Sequence, residues 1–200
     1  MINIDSKYID KSFSYTEFRQ FVTDALTNDK ASLELSDDYL AYAELNEARL
    51  HRLDKTMKVE EEVANKLISL KKKYTWIVIT ECWCGDAAQI VPILNKMAEV
   101  TPNIEMRLVL RDKNLELMDA FLTNGGRAIP KMIIVEQDTL KVLGHWGPRP
   151  ALGQKVVTDY KAAHGVVDEA GKVELQKWYT KDKGHEVQKE VIELMTSFEL

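Results

Sequence analysis

Through about the first seventy positions, apolar residues recur three and four apart, the period of helices lying against a core. Ser14 and Glu17 stand three apart in the arrangement of a capping box, and Phe18, Phe21, Val22, Ala25 and Leu26 then share one helical face. The polar break "TNDKAS" ends that helix. A second is expected from about Ser36, with Leu50, Leu53 and Met57 along one side, and a third through "VEEEVANKLISLKKK" on Val63, Ala64, Leu67 and Ile68.

The pattern changes at Tyr74. "YTWIVIT" is a continuous, β-branched apolar run, the mark of a strand buried on both faces. It is followed by a helix with Ile90, Ile93, Leu94 and Met97 inward and Pro92 inside it. "NIEMRLVLRD" reads as a second strand, and "NLELMDAFLT" as a helix ended by Gly125-Gly126. "IPKMIIVEQDTLKVLGHWG" reads as a hairpin turning at Gln137-Asp138, and "PRPALGQKVVTDYKAA" as a helix with Leu152, Val156, Val157 and Tyr160 on one side. Beyond Gly165 the pattern weakens until Val187, Val191, Ile192, Met195 and Phe198 mark a closing helix. Strand–helix alternation requires parallel pairing with helices on the faces, and the final hairpin adds an antiparallel edge. The expected fold class is α/β. Residues 1–58 form a helical extension, 59–165 the α/β domain, and 166–200 a helical segment packing on it.

Composition narrows the function classes. The chain of 200 residues is 45% hydrophobic, enough for a real core, and its net charge of −5 offers no basic excess to meet phosphates. Nucleic-acid binding is therefore not expected. Lys71-Lys72-Lys73 falls where a helix should end, in keeping with its dipole. "MINIDSKYIDKSF" holds no apolar run long enough for an export signal or a membrane span, so a cytoplasmic location with free thiols is expected, and no membrane partner.

Both cysteines lie in "TECWCGDAAQIVPIL", one residue apart at a strand–helix junction. Trp83-Cys84-Gly85 after a buried strand, the helix proline in "IVPIL", and Ile129-Pro130 within "GRAIPKMIIV" occur in one order at suitable separations. In these features the chain from about Val59 to Ala163 resembles the thioredoxin-fold proteins. The resemblance implies a central mixed sheet flanked by helices, an attacking thiol at Cys84, and a cis proline at Pro130 lining the substrate groove. This chain departs from the pattern at two places. Ala87 occupies the position of the usual second cysteine, and Val78 that of the usual buried acid, while an unusual thiol stands at Cys82.

Cα atoms two residues apart lie about 5.5–7 Å from one another, and disulfides take about 4.4–6.8 Å, so a small, strained Cys82–Cys84 ring is feasible and easily reduced. Cys84 is expected to attack, its thiolate favoured by the helix N-terminus, with Cys82 resolving; single-thiol use of Cys84 and a site without redox chemistry stand as alternatives. Asp86 reads as a plain cap or as a proton carrier. Glu81, beside Cys82, is a substitute for the missing acid or an ordinary exposed strand-end residue. Trp83 is expected to be partly exposed and to restrict access beside Gly85. Ile129 and Arg127 would flank the groove, with Arg127 a donor or merely solvated, and Trp146 forms a groove wall or a buried anchor. One histidine, His145, beside two closely spaced cysteines does not make a metal set, and no cofactor is assigned. The expected activity is thiol–disulfide exchange on protein disulfides or thiols, with electrons from a partner reductase or low-molecular-weight thiols. The alternative from another class is a protein-binding module of the same fold.

Overall fold

The computed structural model describes residues 3–199. The outermost ends of the expected extension and closing segment, residues 1–2 and Leu200, lie outside them. Helix α1 spans Lys7–Asp10, α2 Tyr15–Asn28, α3 Asp37–Thr56 and α4 Glu61–Ile68. The capping box at α2 is closed in both directions: the Ser14 N–H donates to Glu17 Oε2 at 2.7 Å and the Glu17 N–H to Ser14 Oγ at 3.2 Å. Strand β1, Tyr74–Thr80, is buried at every position, as its continuous apolar run requires. Helix α5, Gly85–Ala98, follows directly; β2 is Ile104–Leu110 and α6 is Leu115–Asp119. Strands β3, Lys131–Glu136, and β4, Val142–Trp146, form the hairpin. They precede α7 Ala151–His164, α8 Glu169–Asp182 and α9 His185–Ser197.

The sheet runs β2-β1-β3-β4. β1 pairs parallel with β2, with Val78 opposite Leu108, and antiparallel with β3, while β3 and β4 are antiparallel. This is the mixed α/β sheet of a thioredoxin-like fold. The outer edge of β2 is met by the chain at Phe13, whose N–H and C=O exchange hydrogen bonds of 2.8 and 2.7 Å with Leu108. One continuous core joins Phe18, Val22, Leu67, Trp76 and Met195, so helices from both ends of the chain bury the same sheet. No helix among the described residues is long and apolar enough to cross a membrane.

Several elements differ from the expectation. The helix beginning at Leu115 stops at Asp119 rather than at Gly125-Gly126. Asn124 and Gly125, with φ of 51° and 77°, instead make a tight turn across which Thr123 and Gly126 exchange 2.9 Å backbone bonds. Two successive left-handed residues are the chemistry of an Asn-Gly hairpin turn. Ile68 is exposed. Leu152 is 48% exposed too, because α7 packs on α8 instead of the sheet, with Gly153 rather than a leucine against the ring of Trp178. Helix α8 carries no strong apolar stripe; it buries Leu175 and Tyr179, and Asp168 caps it by accepting the Gly171 N–H at 3.0 Å. The lysine triplet serves α9 rather than α4: Lys72 Nζ donates to the Phe198 carbonyl near that helix's C-terminal end.

Candidate active site

Beyond Thr80 the chain turns through Glu81, Cys82 and Trp83, and the Cys84 N–H closes the turn on the Glu81 carbonyl at 3.2 Å. Cys84 is the N-cap of α5. Its Sγ accepts the Ala87 N–H at 3.5 Å, the place a serine or aspartate oxygen usually takes. The capping reading of Asp86 is thereby corrected: the sulfur is the cap. The Cys84 thiol in turn donates to the Ile129 carbonyl at 3.4 Å, and the Ile129–Pro130 peptide bond is cis. Helix α3 reaches the same turn from the other side, where buried Asn46 donates to the Cys82 carbonyl at 2.9 Å and receives Arg49 Nη1 at 2.8 Å.

Both cysteines are free and buried. Burial, and then the carboxylate of Asp86, push the Cys84 thiol up to about 12; backbone N–H groups and Arg149 oppose this with less effect. Burial, and then Glu81, push Cys82 up to about 12 as well. The helix tip therefore does not favour a resting thiolate, contrary to the expectation from its dipole. Desolvation of a charge costs more than the first turn's N–H groups return.

Asp86 is itself buried, paired with Arg149 Nη2 at 2.6 Å and hydrogen-bonded by the Tyr179 hydroxyl at 2.8 Å. Two distant segments thus converge on the residue two places after Cys84. Nothing in the local sequence announces Tyr179. Arg149 had one local signal, its place between two prolines in "GPRP", which hold the backbone stiff.

Glu81 is only 7% exposed, a correction to its reading as an ordinary surface residue; the loop after β2 covers it, and its Oε1 accepts the Asp112 N–H at 2.8 Å. Burial lifts its carboxyl from 4.5 up to about 7. The folded state then holds this proton more tightly than the unfolded chain. Its contribution to stability is complete below about pH 4.5 and is lost as pH rises through about 7, a swing of about 3 kcal/mol. Glu81→Gln is expected to leave stability at pH 4 nearly unchanged and to raise it at pH 8 by up to that amount, measured by urea unfolding at both pH values. An equal effect at the two pH values would contradict it.

The remaining residues divide. Trp83 is half-buried, stacked on Tyr39 at 4.6 Å between ring centres, with the Arg111 guanidinium 4.7 Å from its own. Gly85 lies beneath Arg49, whose Nη1 would sit 3.4 Å from a Cβ there. Ile129 and Arg127 face the site, but the Arg127 guanidinium is spent on both oxygens of Asp119, at 2.6 and 2.8 Å. Trp146 is a buried anchor whose indole N–H donates to Glu190 Oε2 at 2.8 Å; it lines a separate cavity with His145, which corrects the groove-wall reading. His145 packs edge-on to Phe121, and no group of three His, Cys, Asp or Glu side chains is placed to hold a metal among the described residues.

Cys84, Trp83 and Ile129 open onto a cavity of about 1050 Å³. Helix α3 walls it with Tyr39, Tyr42 and Arg49, and α8 with Val173, Leu175 and Gln176. Cys82 is not on its lining. Cys84 is therefore the thiol that a molecule in the cavity meets first.

A family model described as thioredoxin matches residues 32–161. Among solved structures, a protein of unknown function from Pseudomonas aeruginosa is similar, with a TM-score of 0.58 and 16% identity over 92% of this chain and 98% of that one. An HIV epitope-scaffold protein is similar with a TM-score of 0.62 and 14% identity, over 96% and 97%. At these identities the likeness shows the fold. No curated protein matches the chain.

Proposed function

Because the chain belongs to the thioredoxin family, we propose that it is a thiol–disulfide oxidoreductase in which Cys84 attacks and Cys82 resolves. The Cys84 sulfur bonds to one sulfur of the substrate disulfide, and the other leaves as a thiolate that takes up the cysteine's proton. Cys82 then bonds to the Cys84 sulfur and expels the second substrate thiol. The protein ends oxidised by two electrons and the substrate reduced by two. No bound cofactor enters these steps. Renewal of the dithiol falls to a partner reductase or to low-molecular-weight thiols, in a reducing compartment such as the cytoplasm.

The observation that carries this reading is the position of Cys84, at the N-cap of α5, beside the Ile129 carbonyl and on the wall of the cavity. A second reading, a non-catalytic binding module of the same fold, draws support from one feature: burial holds both thiols protonated. The two are separated by oxidising the protein with diamide, alkylating it under denaturing conditions and weighing it. The redox reading expects an unalkylated monomer two hydrogens lighter than the reduced chain. A monomer carrying an adduct on each cysteine overturns the dithiol mechanism.

A further inference from the structure

The site cavity is a cleft walled by α3 and α8. Among its lining residues the Tyr42 hydroxyl of α3 donates to Glu169 Oε1 of α8 at 2.9 Å, and Lys172 Nζ donates to the same hydroxyl at 3.0 Å, which ties the two walls together. Cys84 is only 8% exposed, which favours a substrate narrow enough to enter between α3 and α8 over a disulfide on the surface of a folded protein. The volume of about 1050 Å³ is that of a small-molecule site.

The charges on the lining do not balance. Asp86 is neutralised by Arg149, and Glu169 by Lys172 at 2.5 Å. Of the other cations, Arg111, Arg127 and Lys177 are held by Asp112, Asp119 and Glu174. Arg49 and Lys181 are left on the lining with no carboxylate within ion-pair distance among the described residues. Arg49 is the inner of the two, half-buried, and its guanidinium lies over Gly85, the residue after Cys84. Its pKa is lowered, first by burial and then by neighbouring Arg52, so the charge is held at a cost that an incoming anion would relieve. Around it the wall is apolar and aromatic, with Tyr39, Leu45, Val157, Val173 and Leu175.

We propose that the substrate of this site is a carboxylate-bearing, low-molecular-weight disulfide, seated with its carboxylate on Arg49 and its sulfur on Cys84. The inference rests on the proposed thiol chemistry of Cys84. Its balance is simple: one substrate disulfide and the two protein thiols yield the Cys82–Cys84 disulfide and two substrate thiols. A guanidinium offers a carboxylate two parallel donors, so Arg49 selects charge and shape together.

The test compares two aromatic disulfides of similar size, the dianionic 5,5′-dithiobis(2-nitrobenzoate) and the neutral 2,2′-dithiodipyridine, by the absorbance of the thiols they release. In Arg49→Gln the rate with the dianion is expected to fall about tenfold or more relative to the neutral probe, whose rate holds within about twofold. Arg49→Lys should retain only part of the preference, since it keeps the charge without the two parallel donors, and added salt should erode the preference in the wild type. The neutral probe also reports that the variants remain folded. Equal rates of loss for both probes in Arg49→Gln, or no loss for the dianion, overturn the inference while leaving the redox reading in place. Failure of both probes to close the Cys82–Cys84 pair in the wild type removes the two together.

Discussion

Cys84→Ser is expected to lose disulfide turnover by at least about a thousandfold while remaining as stable as the wild type. Stability is preserved because the substitution improves the cap it alters. The Cys84 sulfur accepts the Ala87 N–H at a long 3.5 Å, and a serine oxygen is among the best acceptors for that position. The hydroxyl cannot form a disulfide, so the chemistry alone is removed. Cys82→Ala behaves differently. It leaves the cavity and Cys84 in place, so the first attack continues, but the mixed disulfide has no internal thiol to release it. Turnover stalls after one event, and the protein is recovered with one substrate thiol attached, visible as added mass under non-reducing conditions. Steady-state reduction of a small aromatic disulfide measures the first variant, and intact-mass analysis the second. Undiminished turnover in Cys84→Ser would remove the nucleophile from the mechanism, and an adduct-free Cys82→Ala that still turns over would remove the resolving role.

What could be read from residue order differs from what could not along a physical line. β1, β2 and the cap of α2 depend on neighbours within a few positions, and "YTWIVIT" or Ser14 with Glu17 carries that information locally. The thiol's place at a strand–helix junction was legible for the same reason. Helix α8 was not, because it buries only Leu175 and Tyr179 among its large side chains and covers a site rather than a sheet face. The fate of Glu81 was hidden too: its burial is imposed by Asp112, thirty-one positions away, and an isolated strand-end glutamate gives no sign of it. Asp86 shows the limit most clearly. In sequence it is an acid in a first helical turn, where a dipole argument suffices. In the fold its partners come from positions 149 and 179, brought by a loop and a helix whose own patterns say nothing of charge. Arg49 was overlooked for the same reason, since only the approach of α3 to Gly85 sets it in the site.

The Asp86–Arg149 pair supplies the largest expected loss of stability. Both side chains are mostly withdrawn from water, with 10% and 23% of their surface exposed, and the ion pair is 2.6 Å long. Arg149→Leu leaves a buried carboxylate with the Tyr179 hydroxyl as its remaining partner, a cost of about 3–5 kcal/mol. In a domain of this size the midpoint of thermal unfolding should fall by about 10 °C. Asp86→Asn strands the guanidinium instead and is expected to destabilise in the same direction. On thiol reactivity the two variants part company. Asp86 is the strongest charge raising the Cys84 pKa, and Arg149 acts against it. Removing the acid therefore lowers that pKa and should speed alkylation by iodoacetamide at pH 7 by about tenfold, because the thiolate is the reacting form. Removing the cation raises the pKa further and should slow alkylation. A network that only held α8 and the loop after β4 against α5 would loosen in both variants and expose Cys84 in both, so both rates would rise. Opposite signs, in variants destabilised alike, would mark Asp86 and Arg149 as residues that set how readily Cys84 gives up its proton.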